Sequence, residues 1–163
     1  MNYIIRKVKI TDAHDITRVV TISWNEAYKG IVPDEELEKL KHNEKEREEK
    51  FINNYNGNMI VLEIDNKVVG FANYGKAHDE VYPNAGEIIA LYLIKKYQKN
   101  GFGRMLVNKA IEELKKMGYN KMIIACLKGN PTNEFYKHIG GVYLKDGIYK
   151  RLNLEENIYL YDI

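Results

Sequence analysis

The chain has few of the residues that staple a fold or interrupt it: one cysteine and three prolines in 163 residues. A lone thiol, Cys126, forms no internal disulfide and leaves no second sulfur for a cysteine-based metal site. His14, His42, His78 and His138 are scattered without ligand spacing, so no metal is expected. Long apolar runs are missing as well, none approaching the roughly 18 residues of a membrane span. The opening MNYIIRKVKITD sets Arg6, Lys7 and Lys9 among its apolar residues and does not read as a secretory signal, so a cytoplasmic location is the expectation. Charge of one sign is not in excess. With 25 basic against 23 acidic residues the net is +2, and neither nucleic acid nor a membrane surface is indicated as a partner. Internal repeats and Pro/Gly/Ser-rich linkers are absent, and a single domain over residues 1–163 is expected.

What is present suits a globular domain: 45% hydrophobic and 29% charged residues argue against disordered and collagen-like classes. Tyrosine dominates the aromatics, with 13 residues against four Phe and one Trp. Tyr3 to Val8 reads as a first strand, and Thr11 or Asp12 caps a helix carrying Ile16, Val19, Val20 and Trp24 at helical spacing. Asp34 opens the charged run DEELEKLKHNEKEREEKF, read as one helix with a narrow stripe of Leu37, Leu40 and Phe51. Two β-branched-rich runs, MIVLEID and VVGFANYGK, are separated by Asn66-Lys67, which predicts a tight hairpin. EIIALYLI, from Glu87, reads as a strand buried on both faces. A polar turn, KKYQKNGFG, leads to a helix with Phe102, Met105, Leu106, Ile111, Leu114 and Met117 on its apolar side and Gly118 as its stop. MIIACL is a buried strand, Asn130-Pro131 opens a short helix closed by Gly140-Gly141, and VYLKDGIYKRL and NIYLYDI form late strands. The pattern is a mixed α/β sandwich with strand-helix-strand units only in its second half.

The informative stretch is the turn after the buried strand. The first turn of a helix offers N–H groups without intrahelical partners and the positive end of the dipole, a natural phosphate site. Gly101 and Gly103 allow close approach of a bulky anion, and Lys95, Lys96, Lys99 and Arg104 add positive charge. Between Lys95 and Lys121 eight basic residues face only Glu112 and Glu113. The dinucleotide fingerprint would need a third glycine at Leu106, and no Gly-Lys-Ser/Thr of a mononucleotide loop occurs. Aromatics that would stack on bases are not interleaved with the basic residues. A phosphorylated cofactor is the inferred ligand.

Gln98-Lys99-Asn100-Gly101-Phe102-Gly103 matches Q/R-x-x-G-x-G/A at every fixed position and resembles the acetyl-CoA pyrophosphate loop of the GNAT family of N-acetyltransferases. Asn130, then Phe135-Tyr136-Lys137-His138-Ile139-Gly140-Gly141, is similar to that family's other marker, and Trp24 to Pro33 is similar to the segment joining the first two helices of many bacterial members. The likeness extends over essentially the whole chain. It departs at Gly141, where Phe is commoner, and at Lys95, where Pro often follows the cofactor strand.

The resemblance implies an α/β fold with a central, mostly antiparallel mixed sheet flanked by helices, and direct transfer from acetyl-CoA to an amine in a ternary complex without a metal. By resemblance Gln98, Lys99, Asn100, Gly101, Phe102, Gly103 and Arg104 hold the pyrophosphate, and the backbones of Leu91, Tyr92 and Leu93 pair with the pantetheine amides. Asn130 would bond the pantetheine arm, or serve as a helix cap. Glu87 is the candidate base, the alternative being a solvated strand-end carboxylate. Tyr136 is the candidate acid beside the sulfur, with packing of the Phe135-Tyr136 pair as the alternative. Cys126, inside MIIACL, reads as a buried apolar thiol. The acids between Asp34 and Lys50 read mainly as a solvated face; with Asp79 and Glu80 they border the acceptor groove of the family and would attract a cationic amine. The acceptor is a small-molecule amine or a protein or peptide amine. A non-catalytic acyl-CoA-binding module on the same fold is the competing function. The tyrosine-rich end, Asn157 to Ile163, either pairs strands across a homodimer or completes the sheet.

Overall fold

The computed structural model describes every residue except Asp79. In chain order the elements are β1 (Tyr3–Lys7), α1 (Ala13–Ala27), α2 (Asp34–His42), α3 (Glu44–Asn53), β2 (Met59–Ile64), β3 (Lys67–Lys76), β4 (Gly86–Leu93), α4 (Phe102–Lys116), β5 (Lys121–Leu127), α5 (Thr132–His138), β6 (Val142–Tyr149) and β7 (Leu154–Asp162). The seven-stranded sheet has the order β1-β2-β3-β4-β5-β7-β6, with β4 and β5 parallel. Two compact units divide the chain, one of residues 1–73 and 90–110, the other of residues 74–89 and 111–163.

In the first unit β1, β2 and β3 form an antiparallel meander. The hairpin turn is Asp65-Asn66, one residue earlier than the run of β-branched residues predicts. Both residues have left-handed backbone (φ 48° and 67°), which Asp and Asn tolerate and the twist of a two-residue hairpin demands. Arg6 grips Asp12 through two nitrogens at 2.8 and 2.9 Å and reaches Glu63 at 2.9 Å with its Nε. Asp12 also accepts the Lys9 N–H at 2.8 Å. Its carboxylate therefore closes the 3-10 turn Ile10–Asp12 instead of capping α1, where the side chain makes no cap hydrogen bond. Burial pushes the Asp12 carboxyl up, yet the Arg6 and Lys9 hydrogen bonds outweigh it and hold Asp12 below the usual range.

The charged run forms two helices where one is predicted, because Asn43 (φ −110°, ψ 20°) leaves the helical region. Arg47 satisfies the Leu40 carbonyl at the break, donating to it at 2.7 Å, and also donates to Asn43 Oδ1 at 2.8 Å and to Thr21 Oγ1 of α1 at 2.7 Å. Leu37 and Leu40 are buried as the stripe predicts, and α1 packs against α2 and α3.

In the second unit β5 pairs along its whole length with β7, which pairs on its other side with β6. The tyrosine-rich end thus completes the sheet, and β6 is the edge. The parallel ladder between β4 and β5 is short, Gly86↔Met122 and Glu87↔Ile123 only. The expectation that β4 is buried on both faces is corrected accordingly: Ile88 is 2% exposed but Ile89 is 53% exposed, because pairing with β5 has ended.

On α4 the buried hydrophobic residues are Phe102, Leu106, Val107, Ala110 and Leu114. Met105 (36% exposed) and Met117 (47%) lie outside the stripe, since Met105 falls off the i, i+4 row and Met117 follows the last helical residue. Gly118 is the predicted stop, with φ 96°, and the Tyr119 N–H closes back on the Leu114 carbonyl at 3.2 Å.

Gly70 of β3 permits the distal half of β4 to approach it. A Cβ there would stand 2.8 Å from Leu93 Cδ1 and 2.9 Å from the Tyr92 carbonyl oxygen. Gly70→Ala is expected to cost about 1–3 kcal/mol of stability in urea unfolding, as overpacking against backbone does.

Candidate active site

In the first unit β4 ends at Leu93 and the chain turns through a 3-10 segment, Lys95–Tyr97, into α4. The Ile94 N–H bonds the Val69 carbonyl at 3.1 Å, which anchors the strand end to β3. Gln98 Nε2 donates back to the Leu93 carbonyl at 2.9 Å, and Asn100 Nδ2 donates to the Gln98 carbonyl at 3.2 Å. The Lys95 N–H donates to Glu26 Oε1, on the last turn of α1, at 3.0 Å. Lys99 (φ 63°) and Gly101 (φ 85°) are both left-handed, and a Cβ at Gly101 would meet nothing within 4 Å. Space beside this turn is therefore open. The Met105 N–H to Gly101 carbonyl bond, 3.1 Å, closes the first turn of α4, so the amides of Phe102, Gly103 and Arg104 precede the helical ladder.

Lys95, Lys96, Lys99 and Arg104 are exposed around these amides. An open left-handed turn, free first-turn amides and four cations fit a pyrophosphate. Phe102 offers only its backbone, because its ring is 6% exposed and meets Tyr3 edge-on at 5.1 Å. Leu91, Tyr92 and Leu93 are half-buried, and the Tyr92 ring packs against Phe71 and Trp24 at centroid distances of 5.6 and 6.5 Å. The side chain of Tyr92 thus belongs to an aromatic cluster, and only its backbone is on offer as a strand edge.

The second unit holds the titratable candidates. Glu87 occupies the last position of β4 that pairs with β5, half-buried, and burial pushes its carboxyl up to about 7. His78 opposes that rise and Glu156 adds to it. Glu156 is itself raised by burial. Cys126 is buried and its thiol is pushed up to about 12 by desolvation, then by Glu156, so it is the inert thiol its surroundings predict.

Tyr136, 5% exposed, lies in α5 against Phe135 and Tyr159 at centroid distances of 5.6 and 6.3 Å. Asn130 caps α5, with Oδ1 accepting the Thr132 N–H at 2.9 Å; among the described residues its Nδ2 has no partner and stays available to a ligand. Sequence reasoning passed over Asn133. Its Nδ2 donates to the Leu127 and Asn130 carbonyls at 2.9 and 2.7 Å, while its Oδ1 accepts Asn157 Nδ2 at 3.0 Å and the Tyr159 hydroxyl at 2.7 Å. This one buried carboxamide ties α5 to β5 and β7. Its position three residues after Asn130 inside a short helix was the available signal. Gly141 also has a reason: a Cβ there would lie 2.6 Å from the Tyr161 hydroxyl and 2.7 Å from the Tyr136 carbonyl, which are hydrogen-bonded to each other at 2.8 Å.

The acids of the charged run are partly engaged, Glu36 with Lys39 and Glu38 with Lys41 on the same helix. Glu80 pairs with Lys150 at 3.0 Å, and Asp79 lies outside the described residues. Among the described residues no group of three or more metal-ligating side chains occurs, and no helix is long and apolar enough to cross a membrane.

Comparison with known proteins agrees with this geometry. The family model described as acetyltransferase (GNAT) family matches residues 20–140. The uncharacterized N-acetyltransferase YuaI of Bacillus subtilis is 33% identical over 134 residues, 82% of this chain and 76% of the relative. The spermidine N(1)-acetyltransferase of Thermoplasma acidophilum is 29% identical over 153 residues, 90% of this chain and 91% of the relative. Among solved structures, the PaiA N-acetyltransferase of Thermoplasma acidophilum, in complex with coenzyme A, shares the fold at a TM-score of 0.80 and 23% identity over 100% of both chains. A glycine turn that fits a pyrophosphate, on the strand order of this fold and with this kinship, makes the chain a member of the GNAT family of N-acetyltransferases.

Proposed function

We propose that the protein moves an acetyl group from acetyl-CoA to a primary amine by direct attack in a ternary complex. The observation that carries this reading is β4 itself, which stops pairing with β5 immediately after Glu87 and ends in the phosphate-binding turn. The backbones of Leu91, Tyr92 and Leu93 extend the pantetheine arm as an added strand would, and Gln98 to Arg104 receive the pyrophosphate. Asn130 keeps one donor for the pantetheine arm. A primary ammonium ordinarily titrates near 10.4 and must lose a proton before it attacks. Glu87 takes that proton, directly or through water, and its raised pKa makes it a stronger proton acceptor than an ordinary carboxylate while leaving it ionised above about pH 7. The amine nitrogen bonds the thioester carbon, the carbon–sulfur bond breaks, and Tyr136 gives a proton to the departing sulfur.

A cationic amine is the favoured acceptor. Glu87 and Glu156 are both raised by burial, and a positive acceptor offsets the cost of ionising them. The name of the spermidine-acetylating relative is consistent with that class.

Four measurements test this function. Acetyl-CoA-dependent thiol release over a panel of amines should be fastest for di- and polyamines, and release with none of them would refute the activity. Because the Glu87 pKa is raised, its basic form is present above about pH 7, and kcat/KM should fall as pH drops through about 7. Glu87→Gln should abolish that limb and lower kcat/KM by about a hundredfold. The same substitution should stabilise the protein above pH 7 and not at pH 4, by on the order of 1–2 kcal/mol once solvent screening is allowed for, since the fold disfavours the ionised carboxylate. Tyr136→Phe should lower kcat by about tenfold or more while acetyl-CoA affinity in calorimetry stays near wild type.

A further inference from the structure

A carboxylate beside a phosphate site is electrostatically unfavourable, and Glu26 is such a carboxylate. It ends α1, and its Oε1 accepts the Lys95 N–H at 3.0 Å at the start of the turn that Lys96, Lys99 and Arg104 surround. Four cations have been gathered there to meet an anion, so a negative group at the turn's first amide must provide something that outweighs its repulsion. The backbone shows what that is. Ile94 is extended (φ −56°, ψ 132°) and Lys95 opens the 3-10 segment, so the chain changes direction between these residues. The Ile94 N–H is tied to Val69 and the Tyr97 N–H returns to the Ile94 carbonyl, but the Lys95 N–H has no backbone acceptor and points to α1. Ile94 has the conformation that residues before proline adopt, and proline is tolerated at the first position of a helical turn. A lysine there keeps the N–H and the backbone torsion that a proline would remove, and Glu26 takes up that N–H.

We propose that Glu26 is a positioning residue for acyl-CoA: by holding the Lys95 amide it fixes the direction of the chain from β4 into the pyrophosphate turn, a constraint that a proline at position 95 would supply on its own. The inference rests on the acyl-CoA site described above and concerns binding, not the acid–base chemistry.

The test uses the full chain and acetyl-CoA, with the dissociation constant read by calorimetry. Glu26→Ala should weaken acetyl-CoA by about fivefold, the size of one ordinary lost hydrogen bond at an exposed site, and Glu26→Gln should recover most of it. At saturating acetyl-CoA kcat should be unchanged, and the Lys95 amide should exchange faster with solvent in Glu26→Ala by NMR. In a Lys95→Pro background Glu26→Ala should have no effect on affinity. Electrostatics alone predicts the opposite sign, with both Glu26 variants binding acetyl-CoA more tightly, and that result overturns the proposal. An equal loss of affinity on Glu26→Ala in the Lys and Pro backgrounds overturns it too. If the wild-type chain does not bind acetyl-CoA at all, the function proposed above has failed and this role falls with it. Binding that is unchanged in Glu26→Ala refutes the positioning role only.

Discussion

Strands in a sheet normally satisfy both edges, and β4 gives up one of them after Glu87↔Ile123. The early end of that ladder sets the chemistry available to the second unit. It exposes Ile89 in the middle of an apolar strand and leaves Glu87 where the edge facing β5 passes from paired to unpaired. A carboxylate at such a boundary is buried enough to be pushed up to about 7 and open enough to exchange its proton. Deeper in the sheet it would stay protonated; in water it would be too weak a base. An unpaired strand edge is ordinarily a liability, because its N–H and C=O groups pair with whatever strand-like partner arrives. On the function proposed above, that liability is the use: a thioester substrate with amides in its arm is such a partner.

Charge follows the same local logic. The net of +2 says nothing about a ligand, whereas the cations between Lys95 and Arg104 stand around amides that carry a helix dipole. Within that field Glu26 is tolerated because hydrogen bonding acts over one contact and at full strength, while its repulsion of a phosphate acts through solvent and is screened. In the second unit the order reverses. Burial outweighs what His78 offers Glu87, and Glu156 is raised by burial as well.

Local features of the sequence were legible and distant ones were not. The glycine turn from β4 into α4 could be read because glycine spacing and the strand-to-helix switch are both local. The number and order of strands followed from β-branched runs, and Gly118 from the end of a helical period. The break at Asn43 was not visible, because the gain that stabilises it comes from Arg47 reaching Leu40 and Thr21, and no propensity encodes that contact. Asp12 looked like a cap for α1, and its use by Arg6 depends on a strand pairing. The hairpin slipped by one residue because Lys67 resembles a turn residue in composition although its backbone is strand. Gly70 gave no signal at all: it looks like a weak point in β3 until the carbonyl of Tyr92 is placed 2.9 Å from where its Cβ would be.

The tyrosine excess answers the scarcity of cysteine and proline. A chain with neither disulfides nor stiff turns needs other cross-links, and a phenol supplies one by packing its ring and hydrogen-bonding at its tip. Tyr55 spans from the end of α3 to the Val8 carbonyl at 2.9 Å. Tyr159 fixes Asn133, and Tyr161 fixes the Tyr136 carbonyl. The last of these accounts for Gly141. The hydroxyl of Tyr161 enters from β7 and lies 2.6 Å from where a Cβ at Gly141 would be. An aromatic from a neighbouring strand thus reaches the turn after α5 and holds the backbone of Tyr136 by a hydrogen bond where packing alone would have acted. Lys95 and Gly141 therefore share one form. At each a residue distant in sequence, Glu26 or Tyr161, grips the backbone directly, at the Lys95 amide or at the Tyr136 carbonyl beside Gly141.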